Sequence, residues 1–202
     1  MERYLITKSL VSSWAYAVQA GTDEAYDKFM RVLRREPSES AEAMEAGLAF
    51  EALCYRVAMG QAGKPDPNLV EGAKEIASVI SGGAYQIRAS REIEVDRTTY
   101  LVYGILDVLK AGTIYDIKFA TKPLWKRDIY GKYLESPQHP FYLHIVPEAQ
   151  EFTYLLSDGK DVYKETYRRE ECPTAEEVIR EFVTALERSG LLDEYRKHWL
   201  AL

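Results

Sequence analysis

The sequence predicts an α/β fold: a single domain with a central mixed β-sheet flanked by helices. Three observations point there. Apolar residues follow helical spacing through the first third, alternation with a period of two takes over between Tyr85 and Tyr167, and a capped amphipathic helix closes the chain. The 202 residues contain no repeat, linker or biased segment, so one domain over residues 1–202 is expected. Its 47% apolar content supplies enough burial to offset the ordering entropy, which excludes disordered and fibrous classes.

The elements follow in order. After Thr7 or Ser9, either a suitable N-cap, an apolar-rich stretch through Trp14, Tyr16 and Val18 predicts a helix ended by Gly21. A second helix starts at Thr22, with Ala25, Tyr26, Phe29, Met30 and Leu33 on one face, and stops at Glu36-Pro37 because proline disfavours helical geometry in its predecessor. A third runs from about Ser40 to Met59, and a fourth carries Leu69, Ala73, Ile76, Ala77 and Ile80 after a Pro-rich loop. The whole first third therefore reads as helical. Tyr85, Ile87, Ala89, Ile93 and Val95 alternate as a strand, Asp96 to Thr99 turn, and Tyr100 to Leu109 form a near-continuous apolar strand covered on both faces. Ala111-Gly112 returns the chain into Ile114–Phe119, and Ser157-Asp158-Gly159-Lys160 joins a later hairpin. Thr174 and Glu177 form a capping box ahead of Val178, Ile179, Phe182, Val183 and Leu186, and Leu191 to Leu200 is a short last helix.

Composition narrows the function classes. A formal charge of −6 argues against attachment to polyanions by bulk charge alone, yet leaves open phosphate binding through a metal ion and a local basic groove. No apolar run approaches the ~18–20 residues of a membrane span, and the first residues resemble neither a signal nor a transit peptide, so no membrane partner and a cytoplasmic location are expected. Cys54 and Cys172 lie far apart outside any ligand spacing, which argues against a disulfide framework, structural zinc or an iron–sulfur cluster and predicts buried thiols. His139, His144 and His198 show no zinc or relay spacing.

The informative feature is a polar set where burial is expected. Asp107 interrupts the most apolar strand, and Asp116 and Lys118 lie in the next. With a two-residue loop at Ala111-Gly112, Asp107 stands across from Asp116, where Cβ atoms are roughly 4.5–5.5 Å apart and like charges are destabilising. A divalent cation with oxygen ligands suits that position, with Lys118 on the same face but not between the carboxylates. Glu51 projects within about 20–40° of Met44, Leu48 and Tyr55, on an apolar stripe where unpaired carboxylates are rare. Gly47, one turn earlier, permits close approach of sheet or substrate. Farther on, Lys122, Lys126, Arg127 and Lys132 alternate with Trp125, Tyr130 and Tyr133, a pattern suited to phosphate contact and base stacking. Each feature also has an ordinary reading: solvated strand ends for the aspartates, a surface lysine, a Glu51–Arg56 pair, and a solvated basic loop.

Taken together, Gly47-x-x-x-Glu51, Gly104-x-x-Asp107, Asp116-Ile117-Lys118 and Gln138-x-x-x-Tyr142 resemble the PD-(D/E)XK nuclease superfamily in its RecB-like exonuclease branch. The resemblance implies a restriction-endonuclease-like core and an Mg²⁺- or Mn²⁺-dependent deoxyribonuclease, with exonuclease rather than endonuclease action resting on the resemblance alone. It implies metal ligation by Glu51, Asp107, Asp116 and the Ile117 carbonyl, orientation or activation of water by Lys118, and substrate-backbone contact by Gln138 and Tyr142. DNA is the implied partner, a recombinase, helicase or single-strand annealing protein a candidate protein partner, and recombination, repair, phage replication or defence the setting; homo-oligomerisation stays open. Phe50 stands where many relatives carry His, and Pro140 sets the Gln138–Tyr142 motif in a first helical turn or a loop. The alternatives are a noncatalytic nucleic-acid-binding or assembly subunit that keeps the fold, and an unrelated α/β binding protein.

Overall fold

The computed structural model describes residues 2–37, 42–61, 63–64, 66–126 and 129–201. Strand β1 (Arg3–Thr7) leads into helices α1 (Lys8–Ala20), α2 (Asp23–Leu33), α3 (Glu42–Ala58) and α4 (Pro67–Ile80). Strands β2 (Ala84–Val95), β3 (Thr98–Lys110) and β4 (Thr113–Phe119) follow, then helix α5 (Gln138–Ile145) and strands β5 (Glu151–Ser157) and β6 (Val162–Arg168). Helices α6 (Ala175–Arg188) and α7 (Leu192–His198) complete the order.

Local chemistry places most boundaries where the sequence expects them. The Thr7 hydroxyl accepts the Leu10 N–H at 3.4 Å, and Gly21 ends α1 at φ 60°. The Thr174–Glu177 capping box is formed. The expected start of α3 at Ser40 lies outside the described residues. Strand β1 departs from the helical reading of the first third. Five residues carry too short a pattern to declare a strand, and this one exists because it pairs in parallel with Thr99–Tyr103, far along the chain.

Strand β3 organises the mixed sheet. Along one edge it pairs antiparallel with β2 from Thr98 to Leu109. The other edge is divided: β1 takes Thr99–Tyr103 and β4 takes Val108–Lys110. Gly104 to Asp107 lie between these two partners, so the sheet forks there. The hairpin into β4 has the expected two-residue loop, with Lys110 opposite Thr113 and both loop residues left-handed, Ala111 at φ 48° and Gly112 at φ 79°. Strand β4 then pairs in parallel with β5, which pairs antiparallel with β6.

Helices cover both faces. One core gathers Ile6, Leu10, Phe29, Val102, Leu106, Phe152, Ile179 and Phe182; the other gathers Phe50, Leu53, Ile76, Val108, Ile117 and Leu155 under α3 and α4. Leu106 and Val108 are two residues apart yet enter opposite cores, so the alternation of β3 breaks at Asp107. The break coincides with Gln86, a left-handed residue at φ 52° where the β2–β3 register skips a pair. Helix α3 buries Phe50, Leu53 and Cys54, whereas Met44 and Leu48 are 52% and 59% exposed. The stripe carrying Glu51 therefore faces outward along a cavity rather than into the core. Cys54 is buried as expected, but Cys172 is half-buried, because its thiol sits at a surface turn and donates to the Arg168 carbonyl.

Two packing details carry consequences. A Cβ on Gly104 would lie 2.4 Å from Cε1 of Tyr142, so the absence of a side chain there lets α5 dock on the fork. No comparable approach exists at Gly47, whose Cβ position is open within 4 Å. His139 is fully buried, its ring 4.3 Å from that of Tyr167 and its Nδ1 3.3 Å from the Tyr154 hydroxyl, while Nε2 is buried without a described hydrogen bond. Burial pushes its pKa down to about 4.

Gly104→Ala is expected to destabilise by about 1–3 kcal/mol through overpacking against Tyr142, as read by denaturant midpoint. For His139, the unfolded chain takes up a proton near pH 6.5 and the folded chain only near pH 4. Its contribution is thus flat above pH 6.5 and is lost as pH falls toward 4, to a total of about 3 kcal/mol. His139→Phe is expected to flatten that limb of the stability–pH curve relative to wild type.

Candidate active site

The fork opens into a cavity of about 830 Å³. Lys8 enters it from the start of α1, Glu51 and Tyr55 from α3, Asp107 from β3, Asp116, Ile117 and Lys118 from β4, and Gln138 and Tyr142 from α5. The divided edge of β3 explains why side chains from these five elements meet. Where β1 has ended and β4 has not begun, the strand's backbone groups find side-chain partners instead. The Tyr142 hydroxyl donates to the Ile105 carbonyl at 3.0 Å, and the Tyr55 hydroxyl donates to the Asp107 carbonyl at 3.2 Å.

The expected face-to-face ladder pair of Asp107 and Asp116 is not formed. The β3–β4 ladder ends at Val108 and Tyr115, one position short. Asp107 Oδ2 instead accepts the Ile117 N–H at 2.8 Å, so the carboxylate replaces the missing strand partner. Asp116, only 1% exposed, accepts from Gln138 Nε2 at Oδ1 and pairs with Lys118 Nζ at 2.5 Å through Oδ2. Glu51 Oε1 accepts from the Tyr55 hydroxyl at 2.6 Å and from Gln86 Nε2 at 2.5 Å. Phe50, in place of a histidine, stacks on Phe119 at 4.8 Å and contributes packing alone.

The charges are unbalanced. Burial holds the Asp107 carboxyl well above its ordinary range, and the charges of Asp116 and Glu51 raise it further. Burial likewise raises Glu51, against the opposing hydrogen bond from Tyr55. Burial works against the Lys118 charge, but Asp116 and Asp107 outweigh it and hold that ammonium above its usual pKa. Lys118 therefore stays protonated and acts as a hydrogen-bond donor. Lys8 is pushed the other way, by burial and by the neighbouring Lys118 charge.

The donor set fits a hard divalent cation that keeps part of its water shell. Among the described residues no three His, Cys, Asp or Glu side chains close on one point as a protein cage. The hydrogen bonds described occupy one oxygen each of Asp107 and Glu51, and the second oxygen of each is uncommitted among the described residues. Mg²⁺ and Mn²⁺ favour such open oxygen sets, with one or two carboxylates plus water and phosphate oxygens.

The basic segment after β4 is placed differently. Lys122 is exposed and does not line the cavity, and the side chain of Lys126 and all of Arg127 lie outside the described residues. Trp125 and Tyr130 are exposed, whereas Tyr133 stacks on Tyr154 at 4.1 Å. Just past the end of α2, Arg34 pairs with Glu194 at 2.9 Å and Arg35 lies over the Trp199 ring, so both serve the docking of α7. Sequence reasoning missed Lys8 and Gln86 in the cavity. Neither has a local signal: Lys8 arrives through the parallel pairing of β1, and Gln86 through the irregular β2–β3 register. Tyr55 could have been found, since it stands four residues beyond Glu51 on the same helical face.

No protein-family model and no curated protein matches this chain. Among solved structures, the crystal structure of SSO0001 is similar in fold, with a TM-score of 0.54 at 14% identity over 93% of this chain and 78% of that one. That likeness shows the shared α/β architecture of a mixed sheet flanked by helices.

Proposed function

We propose that the cavity is the active site of a divalent-metal-dependent nuclease that hydrolyses DNA phosphodiester bonds, of the PD-(D/E)XK type and the RecB-like exonuclease branch. The single observation that carries this reading is the convergence of Glu51, Asp107, Asp116 and Lys118, from a helix and two strands, on one cavity. A shared cavity disfavours the ordinary reading of the aspartates as solvated strand ends.

Glu51, Asp107 and Asp116 are the residues that would hold the metal, with the Ile117 carbonyl as the further ligand implied by the family resemblance. When bound, Mg²⁺ or Mn²⁺ supplies acidification of water and neutralisation of charge on the phosphate oxygens. The chain's own groups do the rest. Lys118, held protonated by two aspartates, donates to and orients the attacking water instead of removing its proton. Gln138 fixes the rotamer of Asp116, and Tyr142 braces β3 at Ile105. Attack forms the new O–P bond as the P–O bond to the leaving strand breaks; the attacking water's proton passes to solvent, and the leaving oxygen takes up a proton from solvent.

The test is digestion of linear single- and double-stranded DNA with Mg²⁺, Mn²⁺ or EDTA, for wild type beside Asp116→Asn and Lys118→Ala. EDTA is expected to abolish digestion, and each variant to lower it by about a hundredfold or more. Asp116→Asn keeps the shape of the side chain, and Lys118, 28% exposed, can then reach water, so circular dichroism is expected to show a retained fold. A well-folded wild type inert on every substrate would favour a noncatalytic nucleic-acid-binding subunit.

A further inference from the structure

Of the two ammonium groups in the cavity, one is committed and one is not. Lys118 pairs with Asp116 at 2.5 Å. Lys8 has no ion pair among the described residues, and its hydrogen bond goes to the neutral Oε1 of Gln138 at 3.2 Å. Lys8 is half-buried and lies beside a second cation, Lys118, and Asp116 and Asp107 offset only part of the cost of a charge there. A cation so placed is matched by an anion that arrives from outside.

The way Lys8 is held supports this. Gln138 accepts from Lys8 at Oε1 and donates to Asp116 Oδ1 through Nε2. Only one orientation of the amide satisfies both neighbours, since an ammonium only donates and a carboxylate only accepts. Lys8 is thereby set at a fixed offset from Asp116, across the Gln138 amide. Lys8 is also the first residue of the 13-residue α1, so the positive end of that helix adds to its charge.

We propose that Lys8 is the substrate-phosphate contact of the cavity, an ammonium that grips the backbone of a nucleic-acid strand while Gln138 sets its place relative to Asp116. The proposal rests on the nuclease reading above. It divides the labour of the two lysines: Lys118 serves Asp116 and the attacking water, and Lys8 serves the phosphate. Gln138 is a positioning residue.

Binding of a short fluorescein-labelled oligothymidine to the full chain is followed by anisotropy across a salt series, in EDTA and in Ca²⁺, beside cleavage in Mg²⁺. Lys8→Gln is expected to weaken binding about tenfold. It is also expected to lower the slope of log K against log salt by about 0.7, the share of one phosphate contact on a single strand. Lys8→Arg is expected to restore the slope, because the charge returns. Gln138→Leu, which keeps the Lys8 charge, is expected to keep the slope even as turnover falls. A wild type that cleaves while Lys8→Gln binds with unchanged affinity and slope would overturn the assignment and leave the nuclease reading intact. So would a Gln138→Leu variant that loses the same slope, since Lys8 would then act only through the amide. A wild type that neither binds nor cleaves DNA would overturn both.

Discussion

The arrangement depends on how one edge of β3 is shared. A central strand whose edge is wholly taken by one neighbour has no free backbone groups, and its side chains can only alternate between two cores. Here β1 leaves at Tyr103 and β4 arrives at Val108, so a short stretch between them must satisfy its polar groups in other ways. Tyr55, Tyr142 and the Asp107 carboxylate meet that demand, and they also wall the cavity. The backbone requirement and the site are therefore the same structure seen from two sides.

Charge is the second constraint. Three carboxylates face two ammonium groups, and Asp116 is almost completely removed from solvent. The ion pair to Lys118 and the amide of Gln138 make that burial tolerable, while Asp107 and Glu51 are left with raised proton affinity. Such a site holds unsatisfied negative potential together with a cation, Lys8, that has no ion pair among the described residues. A metal ion and a phosphate are complementary to that polarity, which is why the nuclease proposal and the role proposed for Lys8 draw on one electrostatic pattern.

Packing decides which groups may approach. Gly104 admits the Tyr142 ring at a distance no side chain would allow, so α5 can bring Gln138 to Asp116. Helix α3 divides its faces, with Phe50, Leu53 and Cys54 inward and Met44, Leu48 and Glu51 along the cavity. His139 follows Gln138 in sequence but turns the opposite way, into an aromatic core against Tyr167, and takes no part in the cavity.

Local chemistry in the sequence determined helices α1, α2, α3, α4, α6 and α7, the β2–β3–β4 meander, the two-residue loop at Ala111-Gly112 and the capping box at Thr174, since each rests on contacts between near neighbours. It also marked Glu51, Asp107, Asp116 and Lys118, because polar residues in apolar patterns are conspicuous without a fold. Tertiary structure alone decided that Arg3–Thr7 is a strand, that Lys8 reaches Gln138, that the Asp107–Asp116 pair is replaced by a bond to Ile117, and that the Met44–Leu48 stripe lies open. Those outcomes depend on pairings between distant segments and on a skipped register at Gln86, and no local pattern encodes which edge of a strand its partners will leave free.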